Sequence, residues 1–389
     1  MDNNKLYDDL IHKGEDRKNY YNAIAPPIIQ TSNFRFDSID HMRNSITDEL
    51  NAHIYTRGNN PTTEILRKKL ASLEHTDDAL VTGSGVAAIS IAVIANVNQG
   101  DHIICVDHTY SWTYKLFSSF LTRFGVSCTF VDGREISNIE KAIQDNTRLL
   151  YLESPNSATF ELQDLSACAT LAKKHNIITV IDNSYATPLY QNPADHGIDL
   201  IVHSGTKYLN GHSDVVFGAV CGSKKMIAKI FKNEFMTLGT ILSPNDAFLV
   251  IRGLRTLEMR MRSIKVVTNQ LVNFLAEHPK VRKVIYPGHE SFPQYELAMS
   301  QMKGGTGLFS IVLNVDDKEK VRQFVHALQK FIIAVSWGGH ESLCMPYICF
   351  HDMEGKEDHH IDWRLVRLSV GFESYEYLKE DLANALNQI

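Results

Sequence analysis

Between residues 79 and 207 short, continuously apolar runs alternate with helical patterns, and that alternation leaves few folds open to the chain. Strands are expected at 102–107, 127–131, 148–153 and 177–181, separated by helices over 116–124, 136–144 and 165–175. A strand that is apolar at every position is buried on both faces, so helices must cover both sides of a mostly parallel sheet. Ligands of such sheets gather at the carboxyl ends of the strands. Functional side chains are therefore expected there.

Three residues fall at such ends. Asp182 follows the most apolar strand, where a carboxylate is costly unless it caps a turn or meets a cationic partner such as a pyridinium N–H. Tyr110 follows the strand ending at 107, where its ring either packs or stacks on a planar ligand. Lys207 closes the next apolar run, 199–202, inside Ser204-Gly205-Thr206-Lys207-Tyr208-Leu209-Asn210-Gly211-His212-Ser213. A lysine so placed can form a Schiff base with an aldehyde, and Ser204 and Thr206 can donate to a phosphate. Pyridoxal phosphate (PLP) carries both groups.

Upstream, Thr82-Gly83-Ser84-Gly85-Val86 joins a short strand to an apolar helix. Free amides at a helix start suit an anion, so Gly85 and Val86 mark either a phosphate cradle or a structural turn; the pattern is neither a Walker loop nor a dinucleotide fingerprint. Tyr55 and Arg57, two apart on an extended segment before a helix over 63–73, point to one side and suit either a phosphate or plain solvent exposure.

From about residue 226 helices dominate, with amphipathic or apolar ones expected over 245–261 and 266–276. Strand–helix alternation then resumes at 308–315, 318–328, 332–336 and 365–370. Three parts are expected: an arm (1–56), a large sheet domain (57–248) and a smaller α/β domain (249–389). In the last part Ser336-Trp337-Gly338-Gly339 follows a strand and exposes amides to a ligand. Arg367 lies inside an apolar strand and needs an anion, either an internal carboxylate or that of a substrate. His351, His359 and His360 fit no zinc spacing and read as a solvated loop, so no metal is expected.

A net charge of −6 without a basic patch leaves no footprint for nucleic acid. The longest apolar stretch, 86–97, is too short to span a bilayer. Six cysteines without paired spacing and a polar N-terminus point to a reduced, cytoplasmic setting.

Over nearly its whole length the chain resembles the Cys/Met-metabolism family of PLP enzymes, which contains cystathionine γ-synthase and the cystathionine and methionine lyases. The resemblance rests on the Lys207 segment, Tyr55-Thr56-Arg57, Asn60-Pro61-Thr62, Ser84-Gly85, Glu153-Ser154-Pro155, Ser243-Pro244-Asn245-Asp246-Ala247, Arg252-Gly253-Leu254-Arg255-Thr256-Leu257 and Arg367-Leu368-Ser369-Val370-Gly371. It implies the type I PLP fold, with Lys207 carrying the cofactor and acting as base, Asp182 on the ring nitrogen and Tyr110 stacked in a catalytic position. It implies phosphate contacts from Gly85, Val86, Ser204 and Thr206, and from Tyr55 and Arg57 of a neighbouring subunit, hence a dimer of dimers. It also implies substrate binding by Arg367, Ser336 and Trp337.

Trp337 and the segment 153–161 are similar to bacterial cystathionine β-lyases, which implies α,β-elimination from cystathionine or a related cysteine conjugate. Asn60-Pro61-Thr62 is the form of the γ-group, so γ-lyase and γ-synthase activities stand as alternatives, as does a PLP-binding regulatory protein with residual lyase activity. Ser111 and Trp112 replace the glycines expected after Tyr110, and the lack of Asn-Pro in 153–161 puts a cofactor contact by Asn156 in doubt.

Overall fold

A computed structural model of the chain describes residues 3–351, 353 and 361–389. The large sheet is built from β1 (Asp78–Thr82), β2 (His102–Val106), β3 (Ser127–Val131), β4 (Thr147–Glu153), β5 (Ile178–Asp182), β6 (Leu200–His203) and β7 (Gly218–Gly222), in the order β1-β7-β6-β5-β4-β2-β3. β7 runs antiparallel to both its neighbours; the pairs from β6 to β3 are parallel. β1, β2, β6 and β7 are buried at every position, as their uninterrupted apolar character requires.

The apolar segment after Ser84 forms the helix Gly85–Ile94, against β6 and β7, with Ala88, Ile89, Ile91, Ala92 and Val93 buried. Ser84 caps it by accepting from the Ala87 amide. No helix of the described residues is long and apolar enough to cross a membrane. Another capped start, Asn60 accepting from the Thr62 amide ahead of Pro61, opens the helix Pro61–Leu73. It buries Ile65, Leu66, Leu70 and Leu73, each contributing roughly 1.5–3 kcal/mol.

A second sheet of five strands holds β8 (Val281–Ile285), β9 (Leu308–Leu313), β10 (Ile332–Ile333), β11 (Leu343–Pro346) and β12 (Leu365–Ser369), in the order β10-β11-β12-β9-β8. Only β10 and β11 pair in parallel, so this part is not a second copy of the parallel design. The helix expected over 245–261 is two helices, Pro244–Leu254 and Leu257–Ala276. Buried Arg260 makes the break possible, because its guanidinium donates to the Gly253 carbonyl at 3.0 Å and to the Tyr208 carbonyl at 2.9 Å.

Residues 3–56 carry the helices Asn3–Ile11 and Ile39–Thr47. The second buries none of its side chains, and Ile39, Met42 and Ile46 face solvent. The first is anchored by Leu6 and Leu10 and by the ion pairs of Glu15 with Lys69 and Arg255.

Candidate active site

Parallel register sets Glu153 at the end of β4 directly beside Asp182 at the end of β5. Asp182 is buried, and its Oδ1 accepts from the Ser184 amide at 2.9 Å and the Ser184 hydroxyl at 2.5 Å. Both donors converge on one oxygen, which leaves Oδ2 without a protein donor among the described residues. Burial raises the Asp182 pKa, while the Ser184 bonds and the charges of His203 and Lys207 oppose that rise. The Ser184 hydroxyl in turn accepts from the Ser204 amide at 2.6 Å, so one serine ties the end of β5 to the turn after β6.

Lys207 lies in that turn, four residues beyond β6 rather than closing the strand. The turn is latched to the segment before β7, with the Phe217 amide donating to Thr206 Oγ1 at 3.0 Å and Thr206 donating to the Phe217 carbonyl at 3.2 Å. A Cβ at Gly205 would stand 2.1 Å from the Phe217 ring, so only glycine fits beneath it. Lys207 Nζ is 3.5 Å from Ser204 Oγ and 5.7 Å from the centre of the Trp337 ring. Burial pushes its amine down to about 8, Asp182 acting against that shift and Arg367 with it.

The helix N-terminus comes up against this turn. A Cβ at Gly85 would meet Ser204 Cα at 2.7 Å, so the bare backbone of Gly85 is what allows the approach. The Gly85 and Val86 amides begin the helix, where no intrahelical acceptor exists. Ser204 thus lies against the first residue of the helix, next to its open amides.

On the opposite side, Tyr110 is half-exposed, and its amide donates to Glu153 Oε2 at 2.8 Å. Arg367 is buried in the middle of β12 and donates to the Ser157 carbonyl at 2.9 Å, the Ser336 carbonyl at 3.4 Å and Met345 Sδ at 3.1 Å. No carboxylate of the described residues pairs with it, which removes the internal salt bridge as its explanation there. Burial lowers its pKa. Ser336 adopts a positive φ of 77°, and the Trp337 ring lies 5.2 Å from that of Tyr208.

A planar molecule with an aldehyde, a basic ring nitrogen and a phosphate fits these groups: among the described residues, an amine without a carboxylate partner, a carboxylate oxygen without a donor, and open helix amides. The profile described as Cys/Met metabolism PLP-dependent enzyme matches residues 8–387. The chain belongs to this family. Its cofactor is therefore PLP and its substrate a small molecule.

Among family members, the chain is 38% identical to the L-methionine gamma-lyase of Treponema denticola, over 97% of this chain and 96% of that one. It is 35% identical to the cystathionine gamma-lyase of Bacillus subtilis, over 98% of each. With the cystathionine beta-lyase of Lactococcus lactis subsp. cremoris the identity is 34%, over 97% and 98%. The crystal structure of metB from Corynebacterium glutamicum superposes with a TM-score of 0.92 at 32% identity, covering 98% of this chain and 97% of that one.

Tyr55 and Arg57 are expected at a neighbouring subunit's phosphate rather than in this chain's own pocket. The two stack on each other at 5.3 Å, and no hydrogen bond, ion pair or ring contact of the described residues links them to the Lys207 cluster. Asn156 is consumed by its own turn: Oδ1 accepts from the Ala158, Thr159 and Phe160 amides, and Nδ2 donates to Glu161. Residues 354–360, with His359 and His360, lie outside the described residues.

Two groups that sequence reasoning passed over stand next to Asp182. One is Ser184; its only signal was a hydroxyl two residues after a strand-end aspartate. The other is a buried pair in which His203 Nε2 lies 2.5 Å from Glu74 Oε1, which also accepts from Asn183 at 2.9 Å. A histidine closing the apolar run 200–203 was the available clue.

Proposed function

We propose that the protein is a PLP-dependent carbon–sulfur β-lyase that cleaves cystathionine, or a similar cysteine conjugate, to a thiol, pyruvate and ammonia. The observation that carries this reading is the Trp337 ring, buried against Tyr208 and 5.7 Å from Lys207 Nζ. Loss of a β-leaving group needs one proton removed, at Cα. Loss of a γ-leaving group needs a second, at Cβ, and therefore a base free to travel. An indole packed beside the lysine stem favours a base that works at one carbon.

Bound PLP supplies an electron sink for the negative charge left at Cα. Asp182 would hold the ring nitrogen, and pairing with it would offset the burial of this carboxylate. Tyr110 would pack against the cofactor ring. The Gly85 and Val86 amides and the Ser204 and Thr206 hydroxyls would hold the phosphate, the Thr206 hydroxyl being able to turn from the Phe217 carbonyl. Arg367 takes the substrate carboxylate in a bidentate pair, with Ser336 beside it. Lys207, with its amine near 8, is partly neutral at working pH and accepts the Cα proton.

The exposed stripe Ile39, Met42 and Ile46 and the separation of Tyr55 and Arg57 from this chain's own pocket support a role for the arm, residues 1–56, in completing a second subunit's site. We assign 57–248 to cofactor binding and 249–389 to the substrate-side domain.

The named γ-lyases at 35–38% identity favour a second reading, γ-elimination from methionine or cystathionine. Incubation of the PLP-loaded protein with each amino acid, with products identified by mass, separates the two. Pyruvate and homocysteine from cystathionine are expected; 2-oxobutanoate would transfer the protein to the γ-lyases and strip Trp337 of its diagnostic value.

A further inference from the structure

Glu153 has no part in the chemistry described so far, yet it touches both halves of the pocket. Its Oε2 accepts the Tyr110 amide at 2.8 Å, at the start of the short helix Ser111–Lys115. Its Oε1 accepts the Ser157 hydroxyl at 2.6 Å, and the carbonyl of the same Ser157 receives Arg367 Nη1 at 2.9 Å. The turn in between is already rigid, because the Asn156 side chain accepts three of its amides. Strand pairing leaves Glu153 little freedom, since it stands in register with Asp182 at the end of a buried strand.

We propose that Glu153 is a positioning residue: one buried carboxyl group joins the Tyr110 segment to the Ser157 turn and so aligns the ring-stacking tyrosine with the guanidinium that receives the substrate carboxylate. This rests on the reading of the site given above. A single rigid group serves here because both partners hang on loops, which wander unless a buried acceptor fixes them. Side-chain amides can do the same work: glutamine keeps an acceptor for the Tyr110 amide and offers its NH2 to Ser157 Oγ. Burial, with the neighbouring Asp182 charge adding to it, pushes the Glu153 carboxyl up toward its protonated form, and a protonated Oε1 keeps the contact by donating to Ser157 Oγ instead. The link therefore survives either protonation state.

The test compares Glu153→Ala, Glu153→Gln and Ser157→Ala in the holoenzyme, reading KM and kcat with cystathionine, the PLP dissociation constant, and the circular dichroism of the bound cofactor. Truncation to alanine leaves the Tyr110 amide without its acceptor and frees the turn, so KM and the PLP dissociation constant should each rise by about tenfold and the cofactor dichroism should change. Glutamine should restore all three to near wild-type values. Ser157→Ala breaks only the substrate-side link and should raise KM while leaving PLP affinity and dichroism unchanged.

Unaltered KM and PLP affinity in Glu153→Ala would overturn the proposal, as would a glutamine variant as impaired as the alanine one, which would make charge rather than geometry the cause. Should Glu153→Ala fail to fold, Ser157→Ala decides, an unchanged KM counting against it. Failure of the wild type to bind PLP or to turn over a sulfur amino acid would refute the functional reading itself. A competent wild type with insensitive variants refutes only this role for Glu153.

Discussion

Glu15 and Asp182 are both carboxylates withdrawn from water, but their surroundings differ. Glu15 is met by three cations, Lys69 at 3.1 Å, Arg255 at 3.1 Å and Arg17 at 3.3 Å, and buried Lys69 also donates to the Leu10 carbonyl at 3.2 Å. Asp182 has two donors on one oxygen, a second carboxylate as its register partner, and a lysine that forms no ion pair with it. The first cluster satisfies its carboxylate within the chain and joins the N-terminal segment to the helices Pro61–Leu73 and Pro244–Leu254. The second leaves valences open. A chain keeps an open buried cluster at a cost in stability, and the sensible reason is a ligand that completes it.

If that contrast is right, the two clusters respond oppositely to mutation. Lys207→Ala should remove turnover by at least about 10³-fold together with the visible absorbance of lysine-bound cofactor. Its apoprotein should unfold in urea within about 1 kcal/mol of wild type, because no partner is stranded. A large loss of stability would place Lys207 in the closed class, and retained turnover would sink the assignment of the pocket.

Glu15→Ala should do the reverse. It strands buried Lys69, whose amine burial already disfavours and Glu15 supports, at a cost of about 3–5 kcal/mol. Urea unfolding of the apoprotein measures this, and kcat of the folded fraction is expected to stay close to wild type. A stability change near zero would show that the arm is held by Leu6 and Leu10 alone.

Polar residues that interrupt apolar runs were readable in the chain itself. Asp182, Lys207 and Arg367 are each expensive where they stand, and the charges of Asp182 and Arg367 both act on the Lys207 amine. The glycine-rich turn before an apolar helix was legible, but the close approach of Gly85 to Ser204 that fixes the glycine was not. Residues whose meaning depends on a strand neighbour were not legible either. Glu153 was visible only as part of a motif, since its partner Asp182 is 29 positions away by number and adjacent only through the β4–β5 register. β7 was hidden by glycines at both ends and by its insertion between β1 and β6, a placement set by the sheet rather than by its own pattern. The early end of β10 after Ile333 has a similar cause, because β11, which its pattern did not reveal, offers only Leu343 and Cys344 as partners. Asn156 shows the converse: its local turn chemistry claims the side chain that a resemblance would have lent to the cofactor.

The smallest expected effect lies where the two kinds of cluster adjoin. Glu161 accepts from Asn156 and Thr159 and lies 3.5 Å from His108 Nδ1, so it is closed like Glu15, yet it braces the turn that carries Ser157. Burial alone raises its pKa, but the bonds from His108, Thr159 and Asn156 outweigh burial and hold it at about 2. The unfolded value is about 4.3. Between these limits the unfolded chain binds more protons than the folded one, so stability from Glu161 is present above the unfolded value and is lost as pH falls toward the folded one. Glu161→Gln cannot titrate. Relative to wild type it should be less stable by about 1–2 kcal/mol at neutral pH, after allowance for partial exposure, with the difference shrinking toward zero as pH falls through 4 to about 2. Urea midpoints of the apoprotein at a series of pH values measure it. A difference that stays constant with pH would mean that Glu161 is held by shape rather than by charge, and the line between closed and open clusters would then have to be drawn at Glu15 alone.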